Sequence, residues 1–254
     1  MLSHPLLPKL RQLKLSGMAL TLDTRCAQAA ATNLTALEFL ALLLDDEIER
    51  RQQKRLKRRL GESGLDPGKS LAQFDFAALP QLNRGLILEL ATCAYLVKGQ
   101  NLLLCGPTGV GKSHLVNALG LEALKRNYSV YQRSLQRLLS ELNAARADGS
   151  FSRRFNKLCD VDLLILDDFG LRPLTAQGAE DMYELICRRY ERRPLFITTN
   201  RSLNELPDVF GDGLLASAAL DRFTHHCQTV IIRAASYRQK GHRKEEPDML
   251  ESSS

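Results

Sequence analysis

The segment Gly106-Pro107-Thr108-Gly109-Val110-Gly111-Lys112-Ser113 constrains this chain more than any other. It follows an apolar run, Leu102-Leu103-Leu104-Cys105, that reads as a buried strand. It opens a helical pattern carrying Leu115, Leu119 and Ala123. Strand, then G-x-x-x-x-G-K-S, then helix is the setting in which a glycine-rich loop holds phosphates. Without side chains at Gly109 and Gly111, backbone N–H groups can wrap a phosphate, and the helix N-terminus adds partial positive charge. Lys112 is spaced to reach the β- and γ-phosphates of a nucleotide as a point charge, and the Ser113 hydroxyl to ligate Mg²⁺. A plain glycine-rich turn is the competing reading. It leaves unexplained why every fixed position falls in that setting.

Further along, apolar runs alternate with helical patterns. The helix after the loop extends to about Arg126. Tyr128 to Tyr131 reads as a second strand, and Ser134 to Ala147 as a helix with Leu135, Leu138, Leu139 and Leu142 inward. Leu163 to Leu166 is a third strand. Thr175 to Arg193 is a helix with Met182, Leu185, Ile186 and Tyr190 inward. Leu195 to Thr199 and Thr229 to Ile232 are a fourth and fifth strand. Continuous apolar strands separated by helices predict an α/β fold, a five-stranded parallel sheet covered on both faces.

Residues 1–65 lack strand signals and predict a small all-α domain. Leu6, Leu10 and Leu13 share one helix face, with Gly17 as a stop. Thr35-Ala36-Leu37-Glu38 is a capping-box signature opening a second helix, with Leu37, Leu40, Leu44 and Ile48 as its apolar stripe. Residues 50–59, RRQQKRLKRR, continue that helix with seven basic side chains and no acid, over Leu56 and Leu60. The net charge is +6, so the rest of the chain sums to −1 and the cationic character is local. Such a block suits contact with DNA phosphates, with Arg51, Lys54, Arg55 and Arg58 as the candidate side chains. No aromatic residue interleaves it, which points to duplex and not to stacked single strands. A merely solvated charged face is the alternative. Gly61 to Gly68, with Pro67, reads as a linker, residues 66–244 as the nucleotide-binding domain, and residues 245–254 as a polar, disordered tail.

Composition excludes some classes. Lys9, Arg11 and Lys14 interrupt the N-terminal leucines, so no signal-peptide core forms, and the longest apolar stretch is too short to cross a bilayer. The six cysteines are scattered without a C-x-x-C pair, which fits reduced thiols of a cytoplasmic protein better than disulfides or zinc ligands.

The third strand brings a second half to the site. Leu163 to Leu166 followed by Asp167-Asp168 is a Walker B pattern: Asp167 would join Ser113 in holding Mg²⁺, and Asp168 would orient or deprotonate an attacking water. Asn200 ends the fourth strand, where a polar group could reach the γ-phosphate or that water. A strand-end Asn starting a turn is the plainer reading. Arg222, in Ala219-Leu220-Asp221-Arg222-Phe223, is a candidate arginine finger or else a salt-bridge residue.

Together these residues resemble the AAA+ ATPases, in the clade of DnaA and the helicase loader DnaC, and above all the IstB helper ATPases of two-gene bacterial insertion sequences. The resemblance rests on Lys14-Leu15-Ser16-Gly17-Met18, Phe74-Asp75-Phe76, GPTGVGKSHL with His114, LLILDDFG, RRYERRPLFITTN, ALDRF and Ser236-Tyr237-Arg238. It implies Walker A roles for Lys112 and Ser113, Walker B roles for Asp167 and Asp168, a sensor role for Asn200, a finger role for Arg222, and a second sensor at Arg238. Two departures stand out. Asp168 replaces the commoner Glu, and some sixteen residues after Arg238 are too few for a full helical lid. The resemblance further implies a cytoplasmic bacterial ATPase using ATP and Mg²⁺. It would assemble as rings or filaments on double-stranded DNA and assist a cognate transposase. A replicative helicase loader is the alternative within the same fold. A P-loop kinase leaves the basic helix and the DRF segment unexplained, and a non-hydrolysing binding protein leaves the Asp167-Asp168 pair unexplained.

Overall fold

A computed structural model describes residues 5–234. Arg238 and the expected tail from residue 245 lie outside the described residues. The chain divides into two compact units between Arg59 and Leu60.

The first unit is helical. Helix α1 (Leu7–Gln12) and helix α2 (Ser16–Thr32) are followed by the long α3 (Ala36–Ser63). The capping box at the start of α3 forms as expected: Glu38 Oε2 accepts from the Thr35 N–H at 2.8 Å, and the Glu38 N–H donates to Thr35 Oγ1 at 3.3 Å. Two expectations are corrected. Gly17 stops no helix but lies in the first turn of α2, because there the backbones of α2 and α3 touch. A Cβ at Gly17 would stand 2.6 Å from the Asp46 carbonyl oxygen and 2.6 Å from Glu47 Cα. The break after α1 falls instead at Lys14, with φ +57°. The second correction concerns the stripe of α3. Leu37, Leu40, Leu44 and Ile48 are exposed, and Leu43 is buried with Met18 and Leu22. The contact at Gly17 decides which face turns inward. Buried Glu47 accepts from the Gly17 N–H at 2.5 Å and from Met18 N–H at 3.4 Å, satisfying donors at the start of α2. Burial alone would raise the Glu47 carboxyl. The bonds from Gly17, Arg51 and Met18 outweigh it and hold the group below its usual range.

The region read as a linker is partly helix: α3 runs to Ser63 and ends where Gly64 takes φ +78°.

The second unit is a parallel sheet of five strands: β1 (Asn101–Cys105), β2 (Val130–Ser134), β3 (Leu163–Phe169), β4 (Leu195–Thr199) and β5 (Cys227–Ile231). They lie in the order β2-β3-β4-β1-β5, every pair parallel. Side chains alternate between two cores. Leu103, Leu164, Leu166 and Ile197 face one, and Leu102, Leu104, Ile165 and Phe196 the other. Burial on both faces explains why the strands read as unbroken apolar runs. The second strand starts two residues later than expected because Ser129 is spent on Asp162, whose Oδ2 accepts from Ser129 N–H and Oγ–H at 2.8 and 2.7 Å.

The crossover helices are α6 (Lys112–Lys125), α7 (Leu135–Ala147), α9 (Ala176–Arg189) and α11 (Gly213–His225). Sequence periodicity did not reveal α4 (Arg84–Ala91), α5 (Ala94–Lys98), α8 (Phe151–Asp160) or α10 (Pro207–Phe210). Helix α9 stops at Arg189, short of the expected Arg193. The fully buried Arg189 guanidinium donates to the carbonyls of Leu158, Val161 and Pro194 at 2.6, 2.9 and 2.6 Å. It thereby satisfies the orphan acceptors at the end of α8.

Candidate functional site

Parallel strands place their carboxyl ends on one edge, where α/β sheets bind ligands. The glycine loop leaves β1 there and passes into α6 through Gly111, which has φ +91°. A Cβ at Gly111 would come 3.1 Å from the Phe74 ring, so both backbone conformation and space require glycine. The loop borders a cleft of about 400 Å³, lined by Thr108, Gly109, Val110, Gly111, Lys112, Ser113 and His114, together with Asp168 and Asn200. The size suits a small organic ligand. Seven of the expected loop positions and two of the expected strand-end positions therefore converge.

Lys112 is only 7% exposed. Its ammonium donates to the carbonyls of Gly106 and Pro107, each at 2.8 Å. Burial lowers its pKa, while Asp168 and Asp167 pull it back up. A desolvated cation held between backbone carbonyls and two carboxylates can exchange the carbonyls for anionic phosphate oxygens.

Asp167 and Asp168 diverge because of a bulge. β3 and β4 are in register at Leu166–Ile197 and again at Phe169–Thr199, so two aspartates face the single Thr198. Asp168 takes φ +56°, and the bulge sends its side chain into the cleft and that of Asp167 toward α6. Asp167 Oδ1 accepts from Ser113 Oγ at 3.0 Å and also from the Thr198 hydroxyl. The Thr198 oxygen in turn accepts from the Asp168 N–H at 3.0 Å. Fully buried Thr198 thus ties both aspartates to β4. A hydroxyl and a carboxylate so placed are hard oxygen donors that fit Mg²⁺.

Three features of the site were not assigned from sequence. Thr198, read from sequence only as a strand residue, donates to Asp167 and holds it. The cleft is also lined by Lys69, Gln73, Phe74, Asp75, Ala78 and Leu79. Asn117 of α6, buried, fixes the start of that stretch by bonding Asp66 N–H, Asp66 C=O and Lys69 C=O at 2.8, 2.8 and 3.0 Å. Phe74 packs edge-on to His114, with centroids 5.3 Å apart, and His114 Nε2 lies 3.0 Å from the Ser70 carbonyl. The Phe74-Asp75-Phe76 signature was visible, but nothing local tied it to a loop some forty residues on.

Arg222 is not in the cleft. It shares a small recess with Asn101, the first residue of β1, and so lies at the opposite end of the sheet. Its guanidinium donates to the Ala218 carbonyl at 2.8 Å and lies 5.8 Å from the centre of the Tyr183 ring. Arg51, Lys54, Arg55 and Arg58 are exposed on α3, with Arg51 paired to Glu47 at 2.7 Å. No helix among the described residues is long and apolar enough to cross a membrane.

The family model for IstB-like ATP binding proteins matches residues 8–245. An ATP-binding protein of insertion sequence IS21 from Pseudomonas aeruginosa is 36% identical over 95% of this chain and 91% of its own. An insertion-sequence ATP-binding protein from Mycobacterium tuberculosis is 38% identical over 91% of this chain and 92% of its own. Among solved structures, AMPPCP-bound DnaA from Aquifex aeolicus superposes with a TM-score of 0.57 at 25% identity, over 72% of this chain and 56% of that one. The DnaC helicase loader superposes with a TM-score of 0.53 at 23% identity, over 69% and 99%, which is a likeness of fold. With a parallel AAA+ sheet, a complete glycine loop and relatives aligned nearly end to end, this chain belongs to the family of IstB-like ATP binding proteins.

Proposed function

We propose that the protein hydrolyses Mg-ATP, assembles on duplex DNA in the ATP-bound form, and there assists the transposase of an insertion sequence. The observation that carries the ATPase reading is the cleft that Lys112, Ser113 and Asp168 line together, with Asp167 bonded to Ser113 at its edge. Lys112 binds the β- and γ-phosphates. Ser113 and Asp167 hold Mg²⁺, which supplies positive charge against the phosphates. Asp168 and Asn200 orient the attacking water, and Asp168 takes its proton. The carboxylate of Asp168 is one methylene shorter than a glutamate, which suits slow turnover without DNA. Phe74 and its neighbours form an apolar wall for the base.

Arg222, at the sheet end remote from its own cleft, would sense ATP bound in the cleft of a neighbouring subunit. A contact between unlike ends is heterologous and generates rings or filaments. The transposase reading is supported by relatives at 36% and 38% identity that are named for insertion sequences. The helicase-loader reading has a likeness of fold behind it.

The test is a pair of variants assayed for nucleotide binding, turnover and light scattering with ATP, ADP and DNA. Lys112→Ala should lose binding or turnover. Arg222→Ala should bind ATP as the parent does and lose ATP-dependent assembly and DNA-stimulated turnover. Parent-like turnover in the first variant would remove the cleft's role. Parent-like assembly in the second would leave Arg222 a packing residue.

A further inference from the structure

Glu191, His225 and His226 converge on the surface of the second unit, outside the cleft; Glu191 falls within the RRYERRPLFITTN segment, but none of the three has a role in the site described above. Among the described residues they are the one group of three His, Cys, Asp or Glu side chains whose donor atoms could share an ion, with one atom from each within 4.8 Å of the others. Glu191 Oε1 lies 3.4 Å from His226 Nε2 and 3.7 Å from His225 Nδ1, and the two imidazole rings are 4.2 Å apart. Two donors bound to one tetrahedral ion at about 2.1 Å stand roughly 3.4 Å apart, so both spacings already match joint ligation.

The backbone fixes this convergence. Glu191 takes φ +56°, a conformation that L residues with long side chains rarely adopt. The turn is closed by the N–H groups of Arg192 and Arg193, both donating to the Arg189 carbonyl at 3.0 Å. His225 is the last residue of α11 and His226 leads into β5. The Tyr190 hydroxyl lies 2.8 Å from His225 Nδ1, which holds that ring beside the carboxylate. Ligation at this nitrogen would exchange one hydrogen bond for a metal bond.

We propose that Glu191, His225 and His226 form a site for a late first-row divalent ion of the Zn²⁺ or Ni²⁺ type, with water completing the shell. Two imidazoles and one carboxylate select such ions over Mg²⁺, so the site is distinct in chemistry from the Ser113–Asp167 pair. The ion would clip the turn after α9 to the end of α11. Arg222 lies one turn before His225, so the clip would also stiffen the helix end that bears it.

Zn²⁺ and Ni²⁺ alone are titrated into the untagged full-length protein by calorimetry, with thermal unfolding followed in parallel. The parent should bind one equivalent and unfold at a higher temperature with metal. His225→Ala, His226→Ala and Glu191→Gly should each weaken binding at least tenfold and lose the metal-dependent shift. The glycine relieves the positive φ, so that variant stays folded while losing a ligand. ATP affinity should not change in any of them. No saturable binding by the parent overturns the proposal. So does unchanged binding by the double variant lacking both histidines, which would put the ion elsewhere.

Discussion

Replacing Thr198 by Val tests how the site carboxylates are held. Valine keeps the β-branched shape in a fully buried position, so no cavity opens, and only the hydroxyl is lost. Two hydrogen bonds go with it: the one Thr198 donates to Asp167, and the one it accepts from the Asp168 N–H at 3.0 Å. The first involves a charged acceptor, and such a bond contributes about 1.5–3 kcal/mol. The second leaves a backbone donor unsatisfied, at about 1–3 kcal/mol. Ser113 still bonds Asp167, which limits the first loss, so a net destabilisation of about 3 kcal/mol is expected. For a chain of this size that lowers the unfolding temperature by roughly 6–12 °C. Without its anchor, Asp167 should also hold Mg²⁺ less well, and loss of such a supporting bond typically lowers metal affinity or activity about 10–100-fold. Calorimetric unfolding and Mg²⁺-dependent turnover measure both, with Thr198→Ser as the control that restores the hydroxyl. A valine variant that melts within about 2 °C of the parent and turns over at the parent rate would refute the reasoning.

Other outcomes follow from the same structure. Arg189→Met should destabilise the second unit in urea unfolding, by about 1–3 kcal/mol for each buried carbonyl of Leu158, Val161 and Pro194 that is left without a donor. Neutralising Arg51, Lys54, Arg55 and Arg58 together should weaken duplex binding alike for all sequences. It should also flatten the salt dependence by about 0.9 for each DNA phosphate left without a cation. Arg51 should contribute least, since Glu47 already pairs with it. The bonds from Arg25 hold Asp46 down to about 2 from 3.8. A depressed carboxyl pKa stabilises the fold above the unfolded value, so this contribution should be complete above pH 4 and fade as pH falls toward 2. Asp46→Asn should flatten acid unfolding of the helical unit in that window.

Much of the second unit was legible because its signals are local. A strand buried on both faces must be apolar throughout, and the glycine loop carries its whole requirement within eight residues. What stayed hidden depends on distant partners. Gly17 looks like a helix stop until α3 is laid against it, and then its missing Cβ is a contact requirement. Leu37, Leu40, Leu44 and Ile48 have the right period for a buried stripe, but period says only that a face is apolar and not that anything covers it. The polar anchor at Glu47 turned a different face inward. In the site, Thr198 reads as one more strand residue until the bulge in β3 sets two aspartates against it. Glu191 and the paired histidines are more than thirty residues apart, joined only by how α9 and α11 end.

The left-handed backbone of Asp168 has a consequence for how this protein could be hardened. An L residue with a charged side chain sits there at an energetic disadvantage that glycine would not feel, and asparagine would feel less. The fold would therefore gain thermal resistance from Asp168→Gly or Asp168→Asn, the changes that also delete a cleft carboxylate. A selection for heat tolerance alone would drift toward these substitutions and, if Asp168 acts on water as proposed, leave a sturdier protein without turnover. On the proposed mechanism, aspartate at this position puts chemistry where the backbone alone would favour glycine.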